Sequence, residues 1–113
     1  MANGYFVITK SEAKQPFHFV LKAGNHETIL TSENYASKDG ALNGIESVKK
    51  NTSDDTNFEI RVAKNDKPYF VLKAKNHQEI GRSQYYTSQE SCKKGIQSVI
   101  ANAKDAEIKD KTS

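Results

Sequence analysis

Residues 18–51 recur as residues 69–102. At an offset of 51, 16 of these 34 positions are identical, namely 19–23, 25, 26, 29, 32, 35, 37, 44, 45, 47, 48 and 51. Unrelated sequences would agree at roughly two. Upstream the offset becomes 52, pairing Phe6 with Phe58, Ile8 with Ile60 and Pro16 with Pro68. The first copy therefore carries one extra residue near Phe17-His18, in a bulge or a looser turn. The polar stretch Asn51-Thr-Ser-Asp-Asp-Thr-Asn57 reads as the turn that joins the copies. The chain is expected to be one domain, 1–113, made of two repeats at about 4–51 and 57–110.

Each copy changes period in the same place. Tyr5-Phe-Val-Ile-Thr9 and Phe58-Glu-Ile-Arg-Val62 alternate like strands with Phe6 and Ile8, or Phe58, Ile60 and Val62, on one face. After polar turns and a proline, His18–Ala23 and Tyr69–Ala74 form second strands, with Phe19, Leu21 and Ala23 facing opposite to His18, Val20 and Lys22. Asn25-His26 and Asn76-His77 sit where a hairpin turn belongs, and third strands follow around Ile29 and Ile80. Beyond Tyr35 and Tyr86 the spacing becomes helical. Ser37 and Ser88 are placed as N-caps, with Thr87 and Glu90 an alternative capping box for the second helix. Ala41, Ile45 and Val48, matched by Cys92, Ile96 and Val99, make the apolar stripe of helices over about 37–50 and 88–103. Ala106-Glu-Ile-Lys109 resembles Phe58-Glu-Ile-Arg61 and reads as a short closing strand.

Three strands and a helix bury too little to stand alone, so the copies must share a core. The expected α+β architecture is tandem β-β-β-α repeats plus a short C-terminal strand. They form a single antiparallel sheet with both helices on one face and a pseudo-twofold axis between the halves. Gly44 and Gly95, each inside a helix, point to a close approach of backbone to the sheet or to the other helix.

The segments FVLKAGNHETIL, TSENY and SKDGALNGIESVKKN, with their echoes FVLKAKNHQEIG, RSQYY and SQESCKKGIQSVIAN, resemble the YegP-like family of small bacterial proteins. The resemblance covers nearly the whole chain. It implies tandem units forming a single sheet with closing strands exchanged between repeats, a cytoplasmic location and no established activity. Family members often carry Asn-Gly in the hairpin where this chain has Asn-His twice, a substitution that a left-handed backbone tolerates. There are no catalytic residues to transfer.

Candidate sites in the sequence are sparse. His26 and His77 read as turn residues, because each copy offers one histidine with no second ligand at metal spacing. Cys92 aligns with Ala41 and reads as a small buried apolar group. Tyr35 and Tyr86, in Ser-x-x-Tyr motifs, are expected to lay their rings on the core rather than to recognise an anion at the helix entrance. Asp54-Asp55 reads as solvated turn, and Lys49-Lys50 and Lys93-Lys94 as exposed helical charge. Asn25, His26, Tyr35 and Gly44, with their equivalents Asn76, His77, Tyr86 and Gly95, make a set of paired motif residues with structural roles. No phosphate loop, zinc motif, nucleophile elbow or other cofactor signature appears.

Net charge of +3, from 17 basic and 14 acidic residues, is too balanced to point to nucleic acid. One cysteine excludes an internal disulfide, and no run approaches a membrane span. The first residues have no basic lead before an apolar block, so a cytoplasmic protein is expected. The sheet face away from the helices is expected to carry Tyr5, Val7, His18, Val20, Lys22, Arg61, Tyr69, Val71 and Lys73. Of these, Tyr5, Lys22, Arg61, Tyr69 and Lys73 are the candidate binding surface. A non-enzymatic module for a protein partner or self-association, monomer or weak dimer, is the favoured function. Single-stranded nucleic acid stacked on the tyrosines, and an enzyme with an unrecognised site, are the alternatives.

Overall fold

The computed structural model describes residues 4–52, 55–74, 77–104 and 106–112. Strands β1 (Tyr5–Lys10), β2 (Phe17–Lys22) and β3 (Thr28–Ser32) precede helix α1 (Lys38–Asn51). A single 3-10 turn, Asp55–Asn57, leads into β4 (Phe58–Val62), β5 (Pro68–Lys73) and β6 (Glu79–Arg82), then α2 (Gln89–Ala103) and β7 (Glu107–Asp110). The extra residue of the first copy lies in the looser turn: six residues link β1 to β2, five link β4 to β5. Ser37 and Ser88 cap the helices through the amides of Gly40 and Ser91, so the capping box at Thr87 is not the one used. His26 and His77 take left-handed backbone at φ 69° and 68°. Asn76 lies outside the described residues.

The seven strands form one sheet in the order β4-β5-β6-β3-β2-β1-β7. Its first six strands are symmetric about the β3–β6 seam, and β7 is the odd one. The expected all-antiparallel sheet needs one correction, since β7 runs parallel to β1. The helix that feeds it explains why. α2 begins over Phe58 and Ile60 of β4 and ends where Asn102 packs on Gly4, at the entry to β1. The short link after it starts β7 from the same end as β1, which fixes a parallel pair. α1 crosses the other way, from Lys38, ion-paired to Asp110 of β7, to Asn51, whose carbonyl accepts from Asn57 before β4.

Because each helix crosses to the other repeat's strands, the core is common property. Phe6, Ile8, Phe19, Leu21, Leu30, Ile45, Val48, Phe70, Leu72 and Val99 are all fully buried within one cluster. In each half a tyrosine lies flat on a phenylalanine beneath a helical glycine. Tyr35 stacks on Phe19 with centroids 6.1 Å apart, and Tyr86 on Phe70 at 6.2 Å. A Cβ at Gly44 would meet Phe19 at 2.8 Å, and one at Gly95 would meet the Tyr86 ring at 2.7 Å. The close approach is therefore to the aromatic stack of the same repeat. The Ser-x-x-Tyr serine completes the device: Ser32 Oγ accepts from the Phe19 amide at 2.8 Å, and Ser83 Oγ from Phe70 at 2.9 Å.

Gly95→Ala should destabilise the fold by about 1–3 kcal/mol through overpacking, outweighing the roughly 1 kcal/mol that alanine gains in a helix. Adding Tyr86→Phe, which removes the hydroxyl nearest the new methyl, should recover part of the loss. Urea denaturation of the two single variants and the double variant checks both signs.

Candidate functional site

The open sheet face does not gather the candidate residues into one surface. Arg61, Tyr69 and Lys73 lie on β4 and β5, while Tyr5 and Lys22 lie on β1 and β2, with β6 and β3 between them. Three strand spacings separate β5 from β2, about 14 Å. Each half is also already engaged. Glu59 accepts from Lys73 Nζ at 2.7 Å and pairs with Arg61, and Arg61 reaches Glu79 at 3.3 Å. Arg82 approaches Glu33 and Glu79, both at 3.8 Å. Val71, expected on the exposed face, is fully buried, flanked in register by Glu59 and Arg82, whose long side chains suit that cover. At the other end Lys109 sits 4.4 Å above the Tyr5 ring, and the Tyr5 hydroxyl meets His26 Nδ1 at 2.7 Å. Tyr69 meets Tyr85 edge to face.

The isolated candidates have local roles. His18 contacts Thr9, and His77 borders a small cavity beside Glu59 and Lys73. No group of three His, Cys, Asp or Glu among the described residues is arranged to hold a metal ion. Cys92 is buried, and burial pushes its thiol up, away from the reactive thiolate. Burial likewise raises the Tyr35 and Tyr86 hydroxyls.

One feature escaped the sequence, because the repeats make it look symmetric. Phe6 and Ile8 of β1 are completely buried, with β7 alongside, whereas their equivalents Phe58 and Ile60 of β4 are only half-buried. Beside them lies a groove of about 530 Å³, walled by Glu90, Lys93, Lys94, Ile96 and Gln97 of α2. The backbone phase shows what the edge offers. Phe70 directs its amide and carbonyl toward Ser83, so the Ile60–Phe70 pair is the non-bonded kind. Ile60, and by alternation Val62, thus turn their N–H and C=O outward, as Phe58 does its C=O, while the Phe58 N–H closes the 3-10 turn before it. At the equivalent place in β1, the Ile8 carbonyl accepts from Lys111 at 2.9 Å. No described strand lies outside β4, and Val62 is 56% exposed.

The domain of unknown function DUF1508 matches residues 13–59 and again residues 63–110. The chain belongs to the DUF1508 family. Each matched unit runs from the second strand of a repeat through its helix into the strand that follows, which makes β4 and β7 counterparts as closing strands. The chain is similar to the UPF0339 protein PM0519 of Pasteurella multocida, at 61% identity over all of this chain and 98% of that protein. The solution NMR structure of UPF0339 protein SO3888 from Shewanella oneidensis matches with a TM-score of 0.90 and 55% identity, over 97% of this chain and 92% of that one. That of the Escherichia coli protein of unknown function yegP matches at 0.92 and 50%, over 100% and 97%. No helix among the described residues is long and apolar enough to cross a membrane.

The bonds from Lys73 and then Arg61 hold the Glu59 carboxyl down to about 2, against an ordinary 4.5. A depressed acid stabilises the fold above its ordinary value and loses that contribution as pH falls through the folded one. Glu59→Gln should therefore lose stability at neutral pH and match wild type below pH 2, by chemical denaturation across that range. Because the pairs are only part-buried, added salt should shrink the difference.

Proposed function

We propose that this protein is a non-enzymatic interaction module that takes up an extended polypeptide along the outer edge of β4. The observation that carries the reading is the inequality of the two repeats. The edge of β1 is sheathed by β7, while the equivalent edge of β4 presents outward amides and carbonyls beside an apolar groove. Strand addition uses these two elements together, main-chain hydrogen bonds for affinity and a side-chain groove for selection. An edge this apolar is otherwise a liability that folds blunt with charge, proline or cover.

The flat face supports the alternatives less well. Its cations Lys73 and Arg61 are matched by Glu59 and Glu79, and Tyr5 already carries a lysine over its ring. Single-stranded nucleic acid would have to displace those partners. An enzyme finds no support in the grouping of titratable side chains described above.

Val62→Pro tests the reading with little harm to the fold, since the Val62 amide points outward and proline is tolerated on an edge strand. Immobilised wild type should capture a polypeptide from native lysate, and Val62→Pro should retain about tenfold less or below. Lys22→Ala, far from β4, should capture as wild type does. Equal capture by Val62→Pro would overturn the proposal.

A further inference from the structure

Resting on that reading of β4 as the docking strand, we propose that a second copy of this chain occupies the edge. The two β4 strands would pair antiparallel about a twofold axis through Ile60. The edge strand reads Phe58-Glu-Ile-Arg-Val62. Antiparallel pairing centred on Ile60 sets Ile60 against its own copy, Phe58 against Val62, and Glu59 against Arg61.

Each of these matches is favourable on its own face. Ile60 and Val62 turn both backbone groups outward and Phe58 its carbonyl, so the pairs they make are the hydrogen-bonded kind and the ladder closes without a shift of phase. Their side chains share the helix side, where Phe58 and Ile60 border the open groove. The pair of strands therefore places apolar groups into each other's grooves and covers Val62, the most exposed apolar group of the edge. On the opposite side Glu59 and Arg61 of one copy meet Arg61 and Glu59 of the other. Four charges alternate around the axis, and none faces its like directly across the strands.

Self-complementarity of this kind is what an isologous contact requires, because the same patch must serve as both surfaces. The twofold axis stands perpendicular to the sheet. It joins two seven-stranded sheets into one, with all four helices on a common face. The outer edges of the joined sheet are then the two β7 strands, which are short and carry Glu107, Lys109 and Asp110 among their four residues. The contact closes after two copies.

The charge pattern supplies the test. Arg61→Glu leaves Glu59 facing a glutamate across the axis, and Glu59→Arg leaves Arg61 facing an arginine, so each variant repels its own copy. A mixture of the two is complementary at both positions. In sedimentation equilibrium from micromolar to millimolar concentration, wild type should move from the monomer mass toward twice that mass. Each variant alone should stay monomeric, and an equimolar mixture should dimerise at least as well as wild type. Recovery in the mixture also shows that both variants fold. A wild type that stays monomeric at millimolar concentration overturns the inference, as does a dimer that either variant forms unchanged. Capture of another polypeptide that Val62→Pro abolishes would leave the docking reading standing in that case. Equal capture by Val62→Pro would remove both.

Discussion

The two halves of the sheet are joined by a seam only two residue pairs wide, Thr31 with Arg82 and Ser32 with Gly81. Repeat-equivalent positions 30 and 81 come together there, and only one of them carries a side chain. Leu30 fills the space, while a Cβ at Gly81 would stand 2.7 Å from the Thr31 carbonyl and 3.3 Å from the Leu30 side chain. A leucine at both positions would force the halves apart. The short ladder holds because the helices reinforce it, α1 reaching over β5 and β6 and α2 over β2 and β3. The seam and the helix crossings together convert two units that are each too small for a core into one buried cluster.

Crossing helices also decide how the symmetry ends. Each helix delivers its closing strand to the far side of the sheet, where α1 hands over β4 and α2 hands over β7. β4 serves twice, as the closing strand of the first unit and the opening strand of the second, and it takes the place beside β5. The corresponding place beside β2 is already filled by β1, so β7 is added outside it. Seven strands cannot be divided equally between two halves. The surplus strand buries Phe6 and Ile8, and its absence on the other side leaves Phe58 and Ile60 beside a groove.

Much of the fold was legible because it depends on local chemistry stated twice. Strand faces follow from alternation at Phe19, Leu21, Phe70 and Leu72, helix starts from Ser37 and Ser88, and helix stripes from spacings such as Ala41, Ile45 and Val48. The direction of β7 was not legible, since it depends on which end of β1 the helix α2 reaches, and no local signal encodes that. Val71 alternates with Phe70 and Leu72 as an exposed residue should, yet Glu59 and Arg82 flank it; burial by a neighbour's aliphatic stem leaves no mark in periodicity. The candidate surface divided for a similar reason, because strand order and not chain order sets which side chains meet. The β4 edge was hidden by the repeat itself, in which Phe6 and Phe58 look equivalent. The likeness of Ala106-Glu-Ile-Lys109 to Phe58-Glu-Ile-Arg61 held the clue, since it implies an odd number of strands and so an unmatched edge.

The unequal edges are the centre of this account, and amide hydrogen exchange in dilute solution reads them directly. In β4 the amides of Glu59 and Arg61 point to β5 and those of Ile60 and Val62 point outward, so protection should alternate from Glu59 to Val62. In β1 the outward amides of Phe6 and Ile8 face β7, so they should be protected along with Val7. Slow exchange at Ile60 and Val62 in a monomeric sample, or fast exchange at Phe6 and Ile8, would contradict the account.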